Sequence, residues 1–486
     1  MNKISKDLFF SVFFSVLNVI FNFWLIQQAE YLLAAVSLGV FMLMRRVVPT
    51  FANFGQLGTS QAIIRYVTLF NEYPEKVKTY FYISFVWWLI CTSLFGIICL
   101  IFGEELGKLL YNTIEQGQQY FLYTVWYISI LHLSYLVQPY FLTQRKIVRY
   151  NIINMLNASL IMIIVFKYFS FSVTINNLFT FSFFIMSILQ LGLLTFIVIK
   201  LKIYRIPSIT KVRSYGKEFY AYGIPRAVIT FSDMLLLTIG ALLVGKNGEE
   251  EIAAFLIALP LARIVLIVLQ PISKLSSVIV GNNNSKEQQS AVVNLMTGTI
   301  LYSTVLLLII LYNWLNVLIK FWLHNQVIIN DVLYVFKILA IGIIPYSIFQ
   351  GLKGVIEIKF YKPYNLYSLL ISILLNITVF YVLLRYYDNL YSLSLSLTIA
   401  FVTLGLLTLY WCRKDFYNYK YYRFDVLIII GIPLFWINKV VNIYYQNIYG
   451  CIICVMITTL IYILTIYLTK IRLIQDTLNI ILRKKK

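Results

Sequence analysis

Long apolar segments recur along the whole chain, and they restrict it to one environment. Of its 486 residues 60% are hydrophobic and 12% are charged, whereas a soluble protein has about 25% charged residues. A helix of about 20 apolar residues crosses the roughly 30 Å of a bilayer's hydrocarbon. The sequence therefore predicts an all-α polytopic membrane protein with about fourteen transmembrane helices. The predicted spans lie near residues 8–28, 31–57, 80–102, 119–142, 147–168, 175–200, 219–244, 252–280, 290–319, 332–356, 364–386, 391–412, 425–445 and 450–470.

Basic residues alternate from one side of the predicted spans to the other. With the N-terminus in the cytoplasm, cytoplasmic segments carry 28 of the 40 Lys and Arg residues and external segments carry 6. This is the positive-inside pattern of helical membrane proteins. We expect both termini to be cytoplasmic, in the inner membrane of a bacterium. The net charge of +21 then reflects orientation and contact with anionic membrane lipids, and no nucleic acid is expected as a partner.

The most basic cytoplasmic loop divides the chain into two parts. Each part has a proline- and glycine-rich helix end about fifty residues from its start, at Pro49–Gly58 and at Pro271–Gly281. Kinked helices at matching places in two halves are typical of transporters built from repeats. The predicted parts are an N-terminal six-helix bundle at 1–200, a linker at 201–217, a second six-helix bundle at 218–412, two additional transmembrane helices at 413–470 and a basic cytoplasmic tail at 471–486.

Arginines occur inside the apolar segments, where a charge is costly and usually faces a cavity or a partner. Arg45 and Arg46 lie about fourteen residues into the second segment, counted from its external end. Arg226 lies about 10 Å into the seventh segment, and Arg263 lies near the middle of the eighth. The guanidinium group binds phosphate through paired hydrogen bonds and stays charged where water is scarce. We predict that these four residues bind a phosphate-bearing, anionic substrate.

Each of these residues also has a simpler interpretation. Arg46 and Arg226 can extend to the cytoplasmic headgroups, and Arg263 can pair with Asp233 on the neighbouring antiparallel helix. Asp233 is itself predicted as a site for a coupling proton or sodium ion. His132 is expected to be a packed, hydrogen-bonded helix residue. No metal cluster or nucleotide-binding motif occurs in the sequence, so we expect no metal and no cofactor.

Three stretches resemble the polysaccharide repeat-unit flippases of the Wzx type. This family belongs to the superfamily that also contains multidrug-and-toxin exporters and lipid II flippases. The first stretch, FGQLGTSQAIIRY at 54–66, is similar to a motif at the end of the family's second span. The second begins with Tyr222-Gly-Ile-Pro225 and continues to Asp233, where Met234 replaces an arginine found in many members. The third, GLKGVIEIKFYK at 351–362, is similar to a glycine-rich, basic stretch before the eleventh span.

The resemblance implies two six-helix bundles around a central cavity that opens alternately to each side of the membrane. It also implies a lipid-linked oligosaccharide as substrate, with a polysaccharide polymerase and glycosyltransferases as candidate partners. A cation-coupled multidrug exporter and a lipid II-type flippase of the same superfamily remain alternatives. A membrane glycosyltransferase or polymerase is disfavoured because no external loop is large, so the chain is expected not to be an enzyme.

Overall fold

The structure is a computed structural model that describes residues 3–70, 72–111, 116–144, 146–168, 174–244, 249–266, 286–360, 362–413 and 424–468. Within these ranges the chain is helical and contains no strand. A helix is the expected form because it satisfies its own backbone hydrogen bonds, which hydrocarbon cannot do. The predicted tail at 471–486 and the Pro271–Gly281 stretch lie outside the described residues.

The first part of the chain contains nine α-helices, numbered here in chain order. A five-residue π-helical segment, Leu156–Leu160, joins the sixth helix to the seventh. The helices are α1 (Lys3–Leu32), α2 (Ala35–Gly55), α3 (Thr59–Leu69), α4 (Pro74–Tyr111), α5 (Gly117–Thr143), α6 (Ile147–Met155), α7 (Ile161–Tyr168), α8 (Ile175–Lys200) and α9 (Ile209–Val244).

The described residues of the second part form seven further helices. They are α10 (Glu249–Ala262), α11 (Lys286–Trp322), α12 (Gln326–Lys359), α13 (Tyr364–Leu383), α14 (Asn389–Cys412), α15 (Phe424–Tyr444) and α16 (Ile448–Leu468).

Eleven helices in the described ranges are long and apolar enough to cross a membrane. They are α4, α5, the α6–α7 pair, α8, α9 and α11 to α16. Helices α1, α2 and α10 occupy the remaining predicted spans, so each of the fourteen predicted segments contains helix. The prediction of an all-α polytopic membrane protein is confirmed.

The chain forms two compact units, Met1–Ala253 and Ala254–Lys486. In the first unit, α9 packs against α2, α3 and α4, although the sequence assigned α9 to the second bundle. The two units are defined by contacts between helices, whereas the sequence argument divided the chain at its most basic loop. The predicted pair of six-helix bundles stays a prediction.

The second predicted span is broken and then continues. Leu57 and Gly58 have φ values of 46° and 75°, which lie in the left-handed region that ends a helix. The chain then resumes as α3, which carries Arg65. The sequence placed Arg65 in a cytoplasmic loop; in the structure it lies on a helix that packs against α9.

In the second unit, α12 and α14 pack closely because small residues lie between them. A Cβ atom added to Gly342 would lie 3.0 Å from the carbonyl oxygen of Thr398, and Gly405 lies directly against the backbone of Pro345. Thr398 Oγ1 donates to the carbonyl oxygen of Ile338 at 3.1 Å. Such close contact between small residues is a common means of packing helices in membranes.

Helices α15 and α16 are attached to α11 through buried amides. Trp314 Nε1 on α11 donates to Asn438 Oδ1 on α15 at 2.8 Å. Asn438 Nδ2 in turn donates to Thr458 Oγ1 on α16 at 2.8 Å. All three side chains are buried, so this chain of hydrogen bonds fixes the last two helices at a defined register on α11.

Candidate functional site

Helices α2 and α9 run antiparallel, and three contacts between their side chains fix the register. Thr50 shares a hydrogen bond of 3.1 Å with Thr238. Asn53 Nδ2 donates to Met234 Sδ at 3.1 Å, and the rings of Phe54 and Phe231 are 4.8 Å apart. Because the residue number rises along α2 as it falls along α9, each position on one helix has a defined neighbour on the other.

The same register brings the break after α2 against the backbone of α9. A Cβ atom added to Gly223 would lie 2.8 Å from the carbonyl oxygen of Leu57. Gly58 is in contact with the carbonyl group of Gly223 in the same way. Only glycine allows backbones to approach so closely while one of the two residues has a left-handed conformation. Two of the three stretches that carry the family resemblance thus meet at this point.

Arg226 lies one turn beyond this glycine contact. Its guanidinium carbon is 3.7 Å from the centre of the Tyr222 ring, and its Nη1 donates to the carbonyl oxygen of Tyr222 at 3.1 Å. Arg65 on α3 approaches the same ring, with its guanidinium carbon 4.6 Å from the ring centre. Arg226 and Tyr222 are half-buried, and Arg65 is exposed.

A cluster of aromatic side chains supports this group. The ring of Tyr66 lies 5.9 Å from that of Tyr222 in an edge-on arrangement and 5.1 Å from that of Tyr80. Glu218 accepts hydrogen bonds from both tyrosines, through its backbone oxygen from Tyr66 at 3.2 Å and through its carboxylate from Tyr80 at 3.4 Å. Phe219 is fully buried and stacks on Tyr80. The cluster therefore fixes the position of Tyr222.

Arg45 on α2 is held by groups from two other segments of the first unit. Its Nη2 donates to Asn22 Oδ1 on α1 at 2.6 Å and to the carbonyl oxygen of Ala158 in the π-helical segment at 3.2 Å. A π-helical turn disturbs the regular backbone hydrogen bonding of an α-helix. Arg45 satisfies a carbonyl group at that turn, so it links α1, α2 and the π-helical segment.

Arg46 and Asp233 are both half-buried in the first unit. Each makes interactions with other groups in the protein. The register of α2 and α9 places Asp233 beside Asn53, and Arg46 is seven residues, or roughly 10 Å, farther along α2. Their assignments as substrate-binding and ion-coupling residues stay predictions.

Arg263 belongs to the second unit and follows α10 directly. Its guanidinium carbon lies 5.6 Å from the centre of the Tyr346 ring. Its Nε atom is buried and has no hydrogen-bond partner among the described residues. Tyr346 is fully buried, and its ring stacks on Phe401 at 4.2 Å. Arg263 therefore has a rigid aromatic neighbour and a buried donor that is not used by the described residues.

The structure separates the predicted arginines of the first unit into two groups. Arg226 lies level with the start of α3, whereas Arg45 and Arg46 lie about thirteen residues, or roughly 20 Å, farther along α2. The predicted spans placed Arg226 about 10 Å, and Arg45 and Arg46 roughly 17 Å, from the cytoplasmic ends of their segments. The separation in the structure is larger than these values predict.

Arg65 and Tyr222 were missed as site residues, although the sequence contained a signal for each. Both lie in the stretches that resemble the flippase family, and an arginine and a tyrosine beside glycine-rich breaks were visible there. His132 is buried as predicted, and its Nε2 has no hydrogen-bond partner among the described residues. No cluster of metal-binding side chains occurs in the part of the chain that was described.

Three solved structures with the same fold are membrane transport proteins. The lipid II flippase MurJ in an inward closed conformation superposes with a TM-score of 0.71 and 16% identity, covering 96% of this chain and 99% of that one. An inward-facing multidrug resistance MATE family transporter of the MOP superfamily gives a TM-score of 0.59 and 15% identity, covering 82% and 93%. An outward-facing MATE transporter gives 0.53 and 15%, covering 84% and 92%.

The fold is therefore the one shared by MurJ and the MATE transporters. In addition, the MatE family model matches residues 225–382, about a third of the chain. No curated protein matched the sequence. With identities this low the likeness defines the fold, and the substrate has to be argued from the chain's own residues.

Proposed function

We propose that this protein is a flippase that moves an undecaprenyl-pyrophosphate-linked oligosaccharide repeat unit from the cytoplasmic to the outer leaflet. The transport would serve the synthesis of a surface polysaccharide, such as an O-antigen or a capsule. The protein would act by alternating access in a bacterial inner membrane, and no covalent step is required of it. The proposal places it in the superfamily to which MurJ and the MATE transporters belong.

Three guanidinium groups that form no ion pair within the described residues carry this proposal. Arg263 has a buried Nε without a partner among the described residues, and Arg65 and Arg226 contact aromatic rings with no ion pair in the described chain. Leaving a cation poorly solvated is costly, which applies to the half-buried Arg226 and Arg263 and not to the exposed Arg65. A pyrophosphate offers charge and acceptor oxygens that offset this cost. Anionic cargo fits these groups better than the cationic drugs that a multidrug exporter would carry.

The path of the substrate follows from the two arginine groups of the first unit. In the predicted topology Arg226 lies toward the cytoplasmic end of α9, and Arg45 and Arg46 lie roughly 20 Å farther toward the outside. A pyrophosphate that entered from the cytoplasm would meet Arg226 first. Arg45 would act chiefly by holding α1, α2 and the π-helical segment together, with its remaining donors available. Asp233 would bind the coupling proton or sodium ion.

A lipid II-type flippase is the second candidate. The match to MurJ over nearly the full length of both chains favours it. Both candidates carry a lipid-linked substrate, so the arginines described here fit either. Deletion of the gene separates the two candidates because each predicts that a different lipid-linked precursor accumulates.

The deciding experiment is a gene deletion complemented with the intact chain. We expect lipid-linked oligosaccharide to accumulate on the cytoplasmic leaflet and surface polysaccharide to disappear, with both effects reversed by the intact gene. Accumulated peptidoglycan precursor and cell lysis would instead establish the lipid II-type function. Normal surface polysaccharide together with increased sensitivity to cationic drugs would establish a multidrug exporter.

A further inference from the structure

Two guanidinium groups in the first unit contact a single tyrosine ring. The guanidinium carbons of Arg65 and Arg226 lie 4.6 Å and 3.7 Å from the centre of the Tyr222 ring. The two carbons are therefore no farther apart than both distances together, about 8.3 Å. The glycine contact between Gly58 and Gly223 holds the two helices at this spacing. Like charges that are held together in this way repel each other.

No carboxylate among the described residues forms an ion pair with either arginine. The guanidinium of Arg65 lies over the rings of Tyr222 and Tyr66. Arg226 adds one hydrogen bond, to the backbone oxygen of Tyr222. Glu218, one turn before Tyr222, directs its carboxylate to the hydroxyl group of Tyr80 instead. The cation–π contacts contribute only a small favourable energy at partly exposed sites. An anion between the two guanidinium groups would compensate both charges.

The group is accessible to such an anion. Arg65 is exposed, and Tyr222 and Arg226 are half-buried. A third cation lies on the same aromatic cluster, since Lys76 Nζ is 3.9 Å from the centre of the Phe70 ring and Phe70 stacks on Tyr66. Under the predicted topology all three cations lie at the cytoplasmic end of the first unit, where a substrate made in the cytoplasm would enter.

We propose that Arg65, Tyr222 and Arg226 form a receiving site for a pyrophosphate group at the cytoplasmic entrance. Each guanidinium would bind one side of the anion through paired hydrogen bonds. Tyr222 holds both forks in place before the anion arrives, which reduces the ordering needed on binding. The proposal rests on the proposed function for Arg226 and extends it, because it adds Arg65 and Tyr222 and assigns them to the entry step.

Binding to the purified full-length chain tests the site. The protein is placed in nanodiscs of zwitterionic lipid and titrated with inorganic pyrophosphate in a calorimeter. A second set of nanodiscs contains undecaprenyl pyrophosphate, and protection of the protein against thermal unfolding is measured. The variants are R65A, R226A, Y222L and Y222F. The matched control is R205A, because Arg205 is also exposed and also lies over a tyrosine, Tyr204, at 6.0 Å.

We expect R65A and R226A each to weaken pyrophosphate binding about tenfold or more, which corresponds to the loss of one hydrogen-bonded contact with a charged group. Y222L should weaken binding several-fold, and Y222F should bind like the unchanged protein because the ring is kept. R205A should also bind normally. Unaltered binding by R65A overturns the proposal, as does equal weakening by R205A, which would indicate general surface attraction.

Comparing inorganic pyrophosphate with undecaprenyl pyrophosphate shows whether the site binds a lipid headgroup or the pyrophosphate group alone. Protection by undecaprenyl pyrophosphate that is lost in R65A, without binding of free pyrophosphate, assigns the site to a lipid headgroup. Binding of both ligands, lost in R65A, assigns it to the pyrophosphate group itself. Absence of binding by either ligand overturns the proposal.

Measuring surface polysaccharide in cells after gene deletion tests the proposed function separately from the entry site. If R65A binds pyrophosphate normally while deletion of the gene abolishes surface polysaccharide, the entry site is wrong and the flippase function stands. If R65A loses binding while deletion leaves surface polysaccharide unchanged, the anion site stands and the proposed function is wrong.

Discussion

Gly223 packs its backbone directly against the Leu57–Gly58 break, so that a Cβ atom on Gly223 would lie 2.8 Å from the carbonyl oxygen of Leu57. Gly58 has a φ of 75°, a conformation that other residues adopt at a cost. The contact joins the end of α2 to α9 and sets the level at which Arg65 meets Tyr222. Changes at these glycines should therefore affect both the fold and the arginine group.

Replacement of Gly58 by alanine should destabilise the protein strongly. The left-handed backbone alone costs an L-residue about 1–2 kcal/mol, and the new Cβ atom would also collide with the carbonyl group of Gly223. Thermal unfolding of the purified protein in detergent measures the loss. G96A is the matched control, because a Cβ atom at Gly96 meets no atom within 4 Å; it should be neutral or stabilising by up to about 1 kcal/mol. Equal stability of G58A and G96A would contradict the described contact.

Replacement of Asn438 by leucine should loosen α15 and α16 from α11. The indole of Trp314 would lose its acceptor and Thr458 would lose its donor. Leaving buried polar groups unpaired costs about 1–3 kcal/mol, so the unfolding temperature should fall. N330L is a suitable control because Asn330 is exposed and makes a hydrogen bond only within its own helix, with Gln326. Unchanged stability of N438L would show that the two helices are held mainly by apolar packing.

Arg45 and Asn22 should be energetically coupled. Removing either one breaks the 2.6 Å hydrogen bond between Arg45 Nη2 and Asn22 Oδ1. The double variant R45A/N22A should therefore lose less stability than the two single variants together, by about 0.5–3 kcal/mol. R45K should also be poorly tolerated, because a lysine has one ammonium group and cannot bridge Asn22 and Ala158 with the same geometry. Strictly additive losses would mean that the bridge contributes nothing.

Export should require an arginine at position 263, and a lysine there should not replace it. R263K keeps the charge but loses the planar fork that binds a pyrophosphate through two hydrogen bonds. We expect both R263K and R263A to reach normal protein levels and to lose surface polysaccharide, corresponding to about tenfold to a hundredfold weaker binding. R413A is the control, since Arg413 is exposed and lies over Tyr410 at 4.1 Å. Full export by R263A would remove this residue from the substrate path.

A cysteine at position 116 should be accessible from outside the cell. Gln116 immediately precedes α5, in a loop that the distribution of charges predicts to be external. The five native cysteines are all buried, so labelling of Q116C by a membrane-impermeant maleimide should exceed that of the unchanged protein in intact cells. Labelling of Q116C only after lysis would reverse the predicted orientation.

The sequence by itself was enough to predict that the chain is a bundle of membrane helices. A run of about 20 apolar residues has one stable form in hydrocarbon, because a helix satisfies its own backbone groups. This is a local property, and each of the fourteen predicted segments contains helix, although α3 was not predicted and α9 begins ten residues before the predicted span. The charged residues inside these spans were visible for the same reason, since Arg45, Arg226 and Arg263 stand out against an apolar background.

Only the tertiary structure decided which of these residues meet. The contact of Arg65 with Tyr222 depends on the register between α3 and α9, and that register is set by the approach of Gly58 to Gly223. The hydrogen bond from Arg45 to Ala158 depends on a π-helical turn that the apolar pattern does not mark. Apolar length fixes whether a segment is a helix, whereas the level and face at which two helices touch depend on small residues and single hydrogen bonds between distant parts of the chain.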